Sequence, residues 1–132
     1  MKKATSFIAL LAFLLAFSSG ISFSQQVDIT GTWKGETEVP DAAEPDKLTL
    51  VIKKTEGKYT ATITDSMGML QDAKCEDIEL KDNTLTFNFI AFTGEEYLRV
   101  YATLTVEGDK MSGSWETEDG SSGAIELERS KL

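Results

Sequence analysis

From Ile29 onward, apolar and polar side chains exchange places at every second position. Leu98, Val100, Ala102, Leu104 and Val106 are separated by Arg99, Tyr101, Thr103 and Thr105, and Tyr59, Ala61 and Ile63 by Thr60 and Thr62. A period of two puts each apolar set on one face of a half-buried strand, and no segment after Gln26 sustains a helical period. Eight strands are predicted: Ile29–Val39, Lys47–Lys54, Lys58–Asp65, Asp72–Leu80, Thr84–Phe92, Glu96–Val106, Lys110–Glu118 and Gly123–Arg129. In the fourth, Ala73 and Cys75 are odd-numbered while Ile78 and Leu80 are even. A β-bulge near Glu76-Asp77 lets both pairs face inward.

The connections set the pairing. Glu107-Gly108-Asp109-Lys110 is a two-residue hairpin that opposes Val106 to Met111 and Glu107 to Lys110. Lys81-Asp82-Asn83-Thr84 brings Leu80 opposite Leu85, and Thr55-Glu56-Gly57 is a third tight turn. Matching inner faces across Thr93–Glu96 sets Phe89 against Val100 and Phe92 against Tyr97. Neighbours joined by short loops make an up-and-down meander, and closing it into a barrel removes the exposed edges. The fold class is therefore all-β, an eight-stranded antiparallel up-and-down barrel. The tight turns at Glu56, Asp82 and Gly108 gather at one end. The longer loops 40–46, 66–71, 93–95 and 119–122 gather at the other, which is the expected mouth.

The N-terminus follows a different pattern. Lys2 and Lys3 precede an unbroken apolar run from Phe7 to Phe17, and small residues follow at Ser22 and Ser24. This predicts a secretory signal peptide over residues 1–24, cleaved after Ser24, with Gly20 as the second choice. The apolar run of about 11 residues is too short to cross a bilayer, so no membrane span is expected in the mature chain, residues 25–132. The two-lysine start suits a bacterial protein that is periplasmic or secreted. Cys75 stands alone, so no internal disulfide forms, and burial of the thiol is expected in an oxidising compartment.

Composition narrows the chemistry. The 132 residues carry 13 basic and 22 acidic side chains, a net charge of −9, and no His. Every carboxylate follows the signal segment, which makes the mature chain an acidic protein and argues against nucleic acid as a partner. Without His there is no Ser-His-Asp triad, no Cys-His pair and no His-ligated zinc. No pair among the carboxylates stands out for acid–base work, so no catalytic residue, metal or cofactor is assigned and the chain is not expected to be an enzyme. Asp41, Glu44 and Asp46 share a loop but fit no calcium-loop template.

Gly31-Thr32-Trp33-Lys34-Gly35 on the first strand resembles the Gly-x-Trp start of lipocalins and other calycin barrels. Met111-Ser112-Gly113-Ser114-Trp115 echoes it, and the mature chain as a whole resembles the small lipocalin-like domains of exported bacterial proteins. The resemblance implies that Trp33 is covered by a basic residue of the last strand, which in position is Arg129, at the closed end. Trp115 is expected to help seal the barrel. The Thr-Asp-Tyr motif of full lipocalins is not present in this chain.

The functional expectation is a non-catalytic, monomeric binding module for a small hydrophobic molecule, its mouth formed by Met67, Met69, Leu70, Ile63, Ala91 and Leu98. Methionines on the loop 66–70 offer an adaptable apolar surface; as the alternative, they plug the barrel. Small barrels are either filled by their own side chains or hold one small ligand. The filled case makes the chain a protein-interaction or accessory domain, including a protease-inhibitor-like role, although no inhibitor motif is present. A protein partner would dock on the outward residues Ile90, Phe92, Tyr97 and Tyr101, which otherwise serve only as cross-strand pairs.

Overall fold

The computed structural model describes residues 27–131, so the expected signal peptide over residues 1–24 lies outside the described residues, as does Leu132. Every element among them is a strand: β1 (Gly31–Thr37), β2 (Asp46–Thr55), β3 (Lys58–Asp65), β4 (Ala73–Lys74), β5 (Glu76–Lys81), β6 (Thr84–Phe92), β7 (Tyr97–Glu107), β8 (Lys110–Thr117) and β9 (Ser122–Arg129). They form one antiparallel sheet in the order β4-β3-β2-β1-β9-β8-β7-β6-β5, curled into a nearly closed barrel. The expected meander is present, with β1 beside β9 as the seam that closes first and last strands together.

The anticipated registers hold. Val106 faces Met111 and Glu107 faces Lys110; Leu80 faces Leu85; Phe89 faces Val100 and Phe92 faces Tyr97. The count of eight strands is corrected to nine because the fourth breaks in two. Asp77 adopts a positive φ of 53°, and the pairing of β5 with β6 shifts between Glu76 and Glu79. The strand breaks at Cys75, before the bulge: Ala73 and Lys74 of β4 bond to β3, whereas β5 bonds to β6 from Glu76 onward. The chain thus steps across the last gap of the barrel at Cys75, whose N–H donates to the Ala61 carbonyl at 2.9 Å.

Inward positions fill the core. Trp33, Leu50, Leu85, Leu104 and Met111 are fully buried, and Phe87 and Phe89 stack at 5.9 Å between centroids. Gly35 is needed for close packing rather than for flexibility. A Cβ there would lie 1.8 Å from the Glu126 carbonyl oxygen, so β1 and β9 approach more tightly than any side chain allows.

Trp33 and Arg129 meet at the tight-turn end. The Arg129 guanidinium lies 4.3 Å from the Trp33 ring centroid, and the indole N–H donates to the Ile29 carbonyl at 3.0 Å. Arg129 also donates to the carbonyls of Thr30 and Asp28 and pairs with Asp109 at 2.9 Å. One guanidinium therefore ties the segment before β1, the last strand and the β7–β8 turn over a buried aromatic face. Trp115 takes no part in this closure; it sits at the opposite end, near Thr37.

Candidate functional site

The mouth end holds a cavity of about 300 Å³. Leu48, Ile63, Phe89, Val100 and Ile125 line it from the barrel wall, and Ala91 and Leu98, paired across β6 and β7, line it nearer the rim. Met69 and Leu70 enter from the loop after β3, and Trp115 forms one side. Thr37, Asp41, Asp46, Thr93, Thr117 and Ser121 add polar groups. An apolar depth with a polar margin is the usual composition of a small-molecule pocket, here at the small end of the range.

Five of the six residues assigned to the mouth, Ile63, Met69, Leu70, Ala91 and Leu98, come together on this cavity. Met67 does not: it is 42% exposed and lies outside the lining. Leu70 corrects the picture of an exposed apolar loop. It is 6% exposed and packed with the core, so this loop carries both an exposed methionine and a buried plug.

Two carboxylates hold the loop in that position. Asp46 opens β2 with the same parity as Leu48 and Leu50 and is therefore turned inward, 1% exposed. Its Oδ1 accepts the Ser66 hydroxyl at 3.1 Å and the Met67 N–H at 3.0 Å. Asp65, ending β3, accepts the Leu70 N–H at 2.9 Å, while its own N–H donates to the Leu70 carbonyl at 3.2 Å. At the far side, the Phe92 N–H donates to the Met69 carbonyl at 3.0 Å. The loop thus bridges from β3 to β6 across the barrel gap. Burial first, and then the neighbouring Asp65 carboxyl, push the Asp46 carboxyl up to about 6. The other Asp65 oxygen, Oδ2, is buried without a hydrogen-bond partner.

Trp115 is fixed by polar contacts. Its indole N–H donates to the Thr37 hydroxyl at 2.8 Å, which donates in turn to the Ala124 carbonyl at 2.6 Å. The ring is held as a rigid wall of the cavity at the mouth end. On the outside, Ile90, Phe92, Tyr97 and Tyr101 are all exposed, Tyr97 to 72%. The Phe92 and Tyr97 rings pack at 4.8 Å, and Arg99, which faces Ile90 across the pair of strands, bonds to Glu76 at 2.9 Å.

Asp46 is the residue that sequence reasoning misses. It groups there with Asp41 and Glu44 as a loop carboxylate, although its parity with Leu48 already points inward. Among the described residues no cluster of three metal-ligating side chains occurs. Cys75 is buried, which pushes its thiol up to about 12.

No protein-family model matches the chain, and no curated protein matches it. Among solved structures, the crystal structure of a mutant of the fluorescent protein UnaG aligns with a TM-score of 0.50 at 14% identity. The alignment covers 79% of this chain and 97% of that one. What the two share is the fold. The chain is thus an all-β, nearly closed antiparallel barrel.

Proposed function

We propose that this chain is an exported, non-catalytic binding module whose barrel mouth takes up a small apolar molecule. The observation that carries the reading is the cavity at the long-loop end, walled by aliphatic side chains and Trp115 and roofed by Met69 and Leu70. Its likeness in fold to the UnaG barrel is compatible with this use. The tight-turn end is blocked by Trp33 and Arg129, so entry is from the loop side only. Export rests on the signal-like segment 1–24.

The test is titration of the purified mature protein with a neutral apolar fluorophore such as N-phenylnaphthylamine. Saturable binding is expected in the wild type, and loss of binding in Leu98→Asp and in Ala91→Phe, which charge or fill the cavity. Absence of saturable binding in a folded wild type overturns the reading. The exposed group Ile90, Phe92, Tyr97 and Tyr101 would then place a protein-interaction or accessory role first.

A further inference from the structure

The charged groups at the mouth have one electrostatic sign. Asp41 and Asp46 line the cavity, and among the described residues no Lys or Arg does. The two arginines are committed elsewhere: Arg129 caps Trp33 at the far end, and Arg99 lies on the outer face against Glu76. We propose that the mouth selects amphiphiles by head group, accepting cationic heads best, neutral ones less well, and rejecting carboxylates, with Asp46 as the main discriminating residue and Asp41 as a second. This rests on the binding reading above and specifies the ligand class for the same site.

Three observations support it. First, Asp46 and Asp41 belong to the polar part of the lining, whereas the remaining walls are aliphatic and aromatic, so a tail-first amphiphile brings its head to the carboxylates. Second, Asp46 is almost wholly removed from water, and a charge in such a site is attracted or repelled far more strongly than at an exposed position. An anionic head would sit beside like charges with no counter-ion, whereas an ammonium would relieve the repulsion between Asp46 and Asp65. Third, one oxygen of this pair lacks a donor. Asp46 Oδ1 already accepts from Ser66 and Met67, but Asp65 Oδ2 is buried with no donor at all. The pair therefore favours an added proton or cation over an added anion.

The experiment compares decylamine (as its ammonium), decanol and decanoate, each displacing N-phenylnaphthylamine from the wild-type protein at neutral pH and near-physiological salt. The expected order is ammonium, then alcohol, then carboxylate, with at least about a tenfold gap between the ends of the series. In Asp46→Asn the preference of ammonium over alcohol should shrink several-fold while decanol still binds, which also reports that the cavity remains folded. Asp41→Asn should give a smaller change in the same direction. Decanoate displacing the fluorophore as well as decylamine would overturn the proposal and leave the binding reading standing. An ammonium preference unchanged in Asp46→Asn would also overturn it, by assigning the attraction to the acidic outer surface. If the fluorophore itself does not bind, both fall together.

Discussion

Asp46→Asn also isolates a single titration, and its consequence for stability can be worked out. In the folded chain the Asp46 carboxyl titrates near 6, raised from 3.8. The folded state therefore holds a proton there more tightly than the unfolded state does. Where the folded state binds more protons, stability falls as pH rises. The contribution is complete below about 3.8 and is lost as pH climbs through about 6. A shift of this size corresponds to at most about 3 kcal/mol, and solvent screening brings the expected value to about 1 to 2 kcal/mol. Asn at this position imitates the protonated acid. Its amide oxygen can accept from Ser66 and Met67 as Asp46 Oδ1 does, and its NH₂ can donate to Asp65 Oδ2.

Urea unfolding at about pH 4.5 and about pH 7.5 decides between the alternatives. The wild type should lose stability between the two relative to Asp46→Asn, which should be the more stable protein at the higher pH. Asp28 and Asp119 are shifted the other way, held down mainly by hydrogen bonds from Thr30 and Thr117. They lose stabilisation only as pH falls through their lowered values, and both proteins share them. Parallel stability profiles would refute the assignment, because the carboxyl would then carry no folded-state proton preference.

Other outcomes follow from the same contacts. Trp33→Ala should cost about 3 to 5 kcal/mol and Arg129→Ala about 0.5 to 2 kcal/mol; a double-mutant cycle in urea should show coupling, and strict additivity would contradict the 4.3 Å contact. Gly35→Ala should cost about 3 kcal/mol or more, read as a fall in the unfolding midpoint, because its Cβ meets the Glu126 backbone rather than a side chain that can move. Cys75, buried and protonated, should resist iodoacetamide in the folded protein and react once urea unfolds it. Intact mass of the protein from its source should match a chain beginning near Gln25, and a retained Met1 would contradict the export reading.

Most of the barrel is legible in the sequence because its information is local. Alternation fixes which side chains face inward, and two-residue turns fix register, so the pairs at Val106, Leu80 and Phe89 can be written down from spacing alone. The bulge is legible for the same reason, since the parity change between Cys75 and Ile78 requires an extra residue. The mouth is only partly legible, because loops lack a period. Met67 and Leu70 look alike in sequence, and only the bonds from Asp46 and Asp65 decide that one is exposed and the other buried. The motifs around Trp33 and Trp115 look alike, but β1 and β8 run in the same direction, and Trp33 lies near the start of its strand while Trp115 lies near the end of its own, so the two rings fall at opposite ends.

The broken fourth strand and the candidate site have a common origin. A closed barrel needs its last gap covered, and here no single strand bonds to both β3 and β6 along its length. The chain instead crosses the gap twice, once as the loop 66–71 and once at the Cys75 step. A loop has no ladder to hold it, so its backbone donors need other acceptors, and buried carboxylates supply them at Met67 and Leu70. One of them, Asp46, placed there for closure, also lines the cavity and with Asp41 gives it a negative margin. A neutral core would have left the loop unanchored, and a lysine in place of Asp46 would offer the Met67 N–H no acceptor. The preference proposed for cationic heads therefore follows from the way this barrel closes: the chemistry that seats Leu70 over the cavity also sets the charge a ligand must meet there.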